Sequence, residues 1–564
     1  MISVDKNGPQ EKAGRVPCQD WIGGWIDGPQ REKLAQMGKL LHILALGLFL
    51  AAQTAAQAAT PFDVLVVGMR LDDLASLDPA EIYEVSGGEI AGNLYERLVE
   101  VEGGEIVPGL AESWKVSPGG KSLIFTLRQG AQFHSGNPVT AEDAAWSLRR
   151  VIKLGKGGAF LLKQLGISSL DSEIKIRALD ARQVEIDLGD DLAPSFALRC
   201  LSSWVGSILD SKLLKQVEAK GDMGNGWLRS KSAGSGPFKL VYWQPGEGVV
   251  LGRNASWWRG APKMKRIVLK HLPEPSVQRL MLEKGDIDVA RNISPDDLVA
   301  LAANPALRIR RIPQGGLVYL GFNQKHPILA KPQVRRAMKL LIDYDAIATH
   351  VLKGSKGVRQ AIIPWGFPSA IESRPFAPDL AEAKRLLAEA GHADGFQVKL
   401  DLSAGSPGLE IAQAIQADFA KANIRLELQP SDSRQHLTRY RARTHDIVLS
   451  QWSPDFFDPH SNAQGFAWNP DTSDNSPFKL LAWRNAWRTP ETTRMVQAAK
   501  GERDEKRRNA QYHDIQRRTL EDGPYAVMFQ DLSILAERAE VDGIAIGPVF
   551  DQVRYAGAAK APVK

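Results

Sequence analysis

The stretch Asp446-Ile447-Val448-Leu449-Ser450-Gln451-Trp452-Ser453-Pro454-Asp455-Phe456-Phe457-Asp458-Pro459-His460 runs from a short apolar strand into a turn crowded with aromatic rings and two carboxylates. Upstream of it, Val398 to Leu402 reads as a strand, Leu409 to Ala422 as a helix and Ile424 to Leu428 as a strand. That is a β-α-β unit, which implies parallel strands and a right-handed crossover. In open α/β sheets, ligands sit in the crevice outside the carboxyl ends of the strands. The turn after Ser450 lies at such an end. A partly desolvated carboxylate between aromatic walls suits an ammonium or another cationic group. Asp455 is therefore a candidate anchor, with loop capping as the alternative. Asp458 stands before a proline, a common way to begin a turn, and reads as structural.

Working outward, the second half of the chain alternates strands and helices. Leu317 to Phe322 is a strand, and Pro332 opens a helix with Val334, Ala337, Leu341 and Ile342 on one face. Asp379 caps a helix whose stripe is Ala383, Leu386, Leu387 and Ala390. Arg434, Arg439, Arg441 and Arg443 lie on a helix before the decisive strand. Most are expected to be solvated, and Arg441 is the candidate to reach a ligand carboxylate. The first half differs. Asn93 to Val99 reads as an amphipathic helix, Ser122 to Arg128 as a strand, Thr140 to Asp143 as a capping box, and Val184 to Leu188 alternates as a half-buried strand. Gly234-Ser235-Gly236 leads into a strand and reads as structural.

The 564 residues are 43% hydrophobic and 24% charged, which is ordinary globular composition with room for several domains. A net charge of +6 spread among interspersed acids reads as a solvated surface. The two cysteines, Cys18 and Cys200, fall outside any metal or redox spacing, and Cys200 is expected to be a buried small hydrophobe. Phosphate loops, dinucleotide fingerprints and H-E-x-x-H are absent. Ala404-Gly405-Ser406-Pro407-Gly408 sits where a nucleophile elbow would. Its first glycine is replaced by Ala404, and Pro407 lacks the N–H that an oxyanion hole needs, so a hydrolase is disfavoured. No enzyme activity, metal or cofactor is expected.

Near the amino terminus, Lys39 precedes the apolar run Leu40 to Ala52, and Ala56-Gln57-Ala58 follows it. A basic start, a short apolar core and small residues at the cut describe a secretory signal peptide. Met37 sits just before the basic residue. Residues 1–36 therefore read as a non-native or disordered lead, 37–58 as the signal, and the mature chain as starting near Ala59. No cysteine follows the cut, so no lipid anchor is expected. Export favours binding, scavenging or hydrolysis over nucleic-acid work.

Many short motifs in order carry a family resemblance. They include Asn93 to Val99, Pro108-Gly109-Leu110-Ala111-Glu112-Ser113-Trp114, Phe133-His134-Ser135-Gly136, Gly234 to Leu240, Arg253-Asn254 with Trp257-Trp258, Gly285-Asp286-Ile287-Asp288, Leu320-Gly321-Phe322-Asn323 and Val334-Arg335-Arg336-Ala337. From about residue 65 to 550 the chain resembles the extracellular solute-binding proteins of family 5, the dipeptide-, oligopeptide- and nickel-binding receptors of ABC importers. The resemblance implies an α/β type II periplasmic-binding-protein fold with two lobes, an extra domain and a cleft between the lobes. It places residues 59–85 with 206–304 and 526–564 in lobe I, 86–205 in the extra α+β domain, and 305–525 in lobe II. It also implies that the Asp of a Trp-x-x-Asp-aromatic motif holds a peptide's amino terminus, which here selects Trp452, Asp455 and Phe456. Phe456 stands where a Tyr is more usual. The expectation is a monomeric periplasmic receptor that delivers short peptides to an inner-membrane permease. A metal chelate, an opine or another small amine-bearing solute is the alternative cargo.

Overall fold

The computed structural model describes residues 60–561 apart from 190, 191 and 406. The expected lead and signal segments and Ser406 lie outside the described residues. Among the described residues, no helix is long and apolar enough to cross a membrane.

An eleven-stranded mixed sheet organises the chain. Its first half in sequence is β1 (Val64–Met69), β8 (Phe238–Gln244), β9 (Gly248–Arg253), β10 (Arg266–His271) and β11 (Val289–Ala290), and β1 runs parallel to both β10 and β11. Its second half holds β14 (Phe396–Ser403), β15 (Ile424–Ser431) and β16 (Ile447–Trp452), and β14 is parallel to both neighbours. The β-α-β unit read from the sequence is thus present, with Gly408–Ala420 as its helix. Strand β16 is longer than expected and takes in Gln451 and Trp452.

Two long antiparallel strands join the halves: β12 (Leu307–Phe322, 16 residues) and β17 (Tyr525–Arg538, 14 residues). Their register breaks between Pro313 and Leu317. Before the break β17 reaches β11, and after it β12 carries β16. Tyr525–Gln530, the first part of β17, pairs with the Leu317–Gly321 part of β12. Strand pairing therefore passes from one half of the sheet to the other inside β17. Apolar composition alone does not mark this passage.

Between β1 and β8 the chain builds a separate four-stranded sheet, in the order β4 (Ala111–Val116), β5 (Ser122–Leu127), β7 (Gln183–Asp187) and β6 (Ile176–Ala178). The capping box at Thr140 starts its main helix, Ala141–Leu154. The helix expected over Asn93 to Val99 lies earlier. It spans Val85–Leu94 (α1), and Val99 already begins the strand β2 (Val99–Glu102). Ser86-Gly87-Gly88 looks like a helix breaker. Here the glycines let α1 press against the carboxy-terminal segment: a Cβ on Gly88 would sit 2.2 Å from the Phe550 ring. Packing overrides propensity in this case.

The other sequence-level features settle as structural parts. Cys200 is fully buried. Trp257 and Trp258 are half-buried. Their indole N–H groups donate to the buried carboxylate of Glu96 at 3.0 and 2.6 Å. The chain passes the end of α1 so closely at Gly234 that a Cβ there would lie 2.0 Å from the Leu94 carbonyl oxygen. Backbone cannot yield as a side chain can. Gly234→Ala is predicted to cost at least about 2 kcal/mol of unfolding free energy, read from urea denaturation midpoints at constant slope.

Candidate functional site

The turn from Ser453 to Asp458 leaves the carboxyl end of β16 and enters α2 (Pro459–Ala467). Room for it is made by the glycine pair in β12. A Cβ on Gly315 would lie 2.4 Å from the Pro454 ring, so only glycine allows the turn to lie on the strand.

Asp458 is fully buried and fixes the far end of the turn. It accepts the His460 N–H at 2.8 Å as the N-cap of α2 and takes Arg508 at 2.8 and 3.0 Å. Arg199 approaches at 3.6 Å. Phe457 meets the Phe367 ring at 5.0 Å and lies under Arg199. His460 is buried too, with Nδ1 3.2 Å from the Tyr512 hydroxyl. The structural reading of Asp458 is correct, and its partners explain it.

Asp455 is in the opposite situation. Its own N–H donates to Ser461 Oγ at 2.9 Å, which pins its backbone. No hydrogen bond or ion pair reaches its half-buried carboxylate from any described residue. Burial alone pushes its pKa up to about 6. A desolvated carboxylate with no donor is costly unless something supplies a partner.

Trp452 is half-buried beside it. The indole N–H donates to Asn462 Oδ1 at 3.2 Å, and the ring stands edge-on to Phe466 at 6.5 Å and close against Gly465. Phe456 is almost fully buried, with its ring edge-on to Phe196 at 5.7 Å. Its face is spent on packing, so it holds the turn rather than presenting a surface to solvent.

The arginines of the helix Ser433–Ala442 separate clearly. Arg439 is paired with Asp401, and Arg443 with Asp474 at 3.2 Å. Arg441 is exposed and meets no acid among the described residues. Two further groups, Tyr83 and Arg484, were not singled out by the sequence reading. Tyr83 is 59% exposed, just ahead of α1. Its hydroxyl is nonetheless crowded: burial and the nearby Asp455 charge raise its pKa, and Arg441 and Arg484 lower it. Asp455, Arg441 and Arg484 therefore all act on one phenol. Arg484 stacks at 5.4 Å on Tyr440, the residue before Arg441, and also lacks an acid partner among the described residues. The one available signal for Tyr83 was an aromatic residue set among acids in a loop. Arg484 carried none.

The arrangement can hold a small molecule bearing an ammonium and an acidic group. Among the described residues, no three His, Cys, Asp or Glu side chains gather as a metal ion would require.

Comparison with known proteins agrees with this architecture. Residues 105–474 match the model of the bacterial extracellular solute-binding proteins, family 5 Middle. The probable D,D-dipeptide-binding periplasmic protein DdpA of Escherichia coli K12 is 30% identical over 518 residues, covering 88% of this chain and 94% of that one. Di/tripeptide-binding protein 2 of Pseudomonas aeruginosa UCBPP-PA14 is 29% identical, covering 78% and 84%. Among solved structures, the ABC transporter-associated periplasmic binding protein DppA of Helicobacter pylori, in complex with the peptide STSA, superposes with a TM-score of 0.70 at 24% identity, over 88% of this chain and 98% of that one. The fold is the two-lobed α/β type II periplasmic-binding fold, and the chain belongs to family 5 of the bacterial extracellular solute-binding proteins.

Proposed function

We propose that this protein is a monomeric periplasmic receptor that binds short peptides between two lobes and presents them to an ABC permease of the inner membrane. In this reading residues 59–85, 206–304 and 526–564 form one lobe and residues 305–525 the other. The observation that carries the reading is the Asp455 carboxylate, desolvated and without a partner. A peptide's terminal ammonium supplies the missing charge. Trp452 walls the anchor, Phe456 fixes the turn through its packing, and Tyr83 closes from the opposite side. Arg441, with Arg484 beside it, offers positive charge to an acidic group of the ligand. A ligand that contacts both lobes favours the closed arrangement by its difference in affinity between the two states. The relatives, a probable D,D-dipeptide-binding protein and a di/tripeptide-binding protein, support peptides over other amines.

Three outcomes follow. Asp455→Asn should weaken binding of free-amine dipeptides by about 2–5 kcal/mol, the usual cost of removing one partner of a buried charge pair. Titration calorimetry reads this directly, and unchanged affinity would exclude the anchor.

The same substitution should stabilise the empty protein. The folded-state pKa of about 6 lies above the ordinary value of 3.8. The ionised carboxylate therefore penalises the fold increasingly as pH rises from about 4 to above 6. At pH 7 Asp455→Asn should gain on the order of 2 kcal/mol. The gain should vanish below about pH 4, and thermal melts at both pH values check the sign.

Binding to the unmodified protein should be strongest near pH 7 and weaken above about pH 8, where the peptide's amino group loses its proton. Below pH 6 it should weaken by about tenfold per unit as Asp455 takes up a proton.

A further inference from the structure

The turn that carries Asp455 is shared by two cores. Phe456 is buried in the core that also holds Leu65, Leu123, Phe125 and Phe196. Among the described residues, it is the one buried member of that core contributed by residues 305–525. Phe457, the next residue, is buried in a different core, with Tyr319, Phe367 and Tyr512. A single peptide bond therefore joins two separately packed cores, one residue after the anchor.

The grip on the first side comes from the helix Pro194–Leu201, which follows β7 of the four-stranded sheet in the chain. Phe196 and Arg199 stand three residues apart on it, so they share a face. Phe196 is fully buried, with its ring edge-on to Phe456 at 5.7 Å and to His460 at 5.4 Å. The Arg199 guanidinium lies 5.4 Å over the Phe457 ring and 3.6 Å from Asp458 Oδ2. At the start of the helix, the Ala193 N–H donates to the Lys500 carbonyl at 3.2 Å, and the Lys500 ammonium stands 5.0 Å over Phe196. One helix thus meets the three consecutive residues that follow Asp455.

This contact has room to tighten. Arg199 is buried, and its Nε and Nη1 have no hydrogen-bond partner. The 3.6 Å from Nε to Asp458 Oδ2 is beyond hydrogen-bond range. Buried donors left unpaired are costly. An approach of roughly 0.7 Å between helix and turn would convert the contact into a charge-assisted hydrogen bond. The Asp455 carboxylate has no partner of its own among the described residues, so its place is set by the backbone of this turn. Binding strength depends on how firmly such a group is held before the ligand arrives.

We propose that the helix Pro194–Leu201 is a positioning element of the ligand site: Phe196 and Arg199 set the place of the Asp455 carboxylate through the turn, so docking of this helix and binding of a ligand at Asp455 strengthen one another. The proposal rests on the anchor role given to Asp455 above. It gives the unit built on the four-stranded sheet a part in recognition. Coupling of this kind is reciprocal, so each event must favour the other by the same factor.

The test is calorimetry with Ala-Leu on the unmodified protein, Arg199→Met, Asp455→Asn and the double variant. Losing a positive charge would by itself favour an ammonium ligand, so weaker binding in Arg199→Met reports lost positioning. Arg199→Met should weaken Ala-Leu at least fivefold when Asp455 is present and less than twofold in the Asp455→Asn background. An equal loss in both backgrounds, or no loss in either, overturns the proposal while the anchor stands. If Asp455→Asn binds Ala-Leu as the unmodified protein does, or if the unmodified protein does not bind it, the anchor falls and the proposal falls with it. Hydrogen exchange on the unmodified protein gives an answer even where Arg199→Met fails to fold. Saturating Ala-Leu should slow exchange across Pro194–Leu201 at least threefold more than across Ala141–Leu154, the main helix of the same unit. Equal slowing of the two helices, or none, overturns the coupling.

Discussion

The site depends on how one buried carboxylate is satisfied. Asp458 has no exposure to solvent, and it is tolerated there because Arg508, Arg199 and the His460 N–H surround it. Breaking such a cluster by removing one member is expensive, on the order of 3–5 kcal/mol, because the remaining charge is left uncompensated. The cluster ties the turn to the helix Glu505–Asp522 and to Arg199, on the helix Pro194–Leu201. Phe456 packs on Phe196 of the same helix Pro194–Leu201, and Phe457 packs on Phe367 beneath Arg199. The turn is therefore rigid at its far end, and Asp455, three residues earlier, is held in place without a partner of its own. One turn thus contains two acids in opposite environments, one fully compensated and one without a partner among the described residues. Rigid support of a deliberately unpaired group is how a binding site is preorganised.

The same turn sits beside the crossing strands β12 and β17, which carry the chain from one half of the sheet to the other. Pro454 rests on Gly315, within the register break. A ligand on Asp455 is therefore close to the place where the two halves join. Tyr83, on the loop after β1, senses the Asp455 charge. In the proposed reading a cargo held there contacts both halves at once, which gives it the differential interaction that a closing receptor requires.

Much of this was legible in the sequence. The β-α-β unit is written in apolar runs of the right length, and the turn after β16 is marked by its aromatic residues and prolines. Trp452 and Asp455 occupy one site because a turn of a few residues brings them together. Arg439 and Arg443 were separable from Arg441 only by geometry, since which arginine finds an acid depends on distant residues such as Asp401 and Asp474. Tyr83 and Arg484 were illegible for the same reason: Tyr83 lies hundreds of residues from the turn and Arg484 reaches it through packing on Tyr440, and neither place is marked locally. The helix Val85–Leu94 was misplaced because local propensity counts glycines against it, whereas the fold uses them to bring Phe550 and Asp551 close. Phe456 was read as a ligand wall from its neighbours in sequence. Its partner Phe196, in another part of the chain, takes up its face.

The central claim is that Asp455 waits, partly protonated near neutrality, for a ligand's ammonium. Proton-linked calorimetry tests it most directly: binding of Ala-Leu is measured at pH 6 in two buffers of different ionisation enthalpy. With a free-state pKa of about 6, the account predicts that about half a proton leaves the protein on binding, and that none leaves in Asp455→Asn. Binding with no proton released from the unmodified protein, or with the same release in the variant, would contradict it.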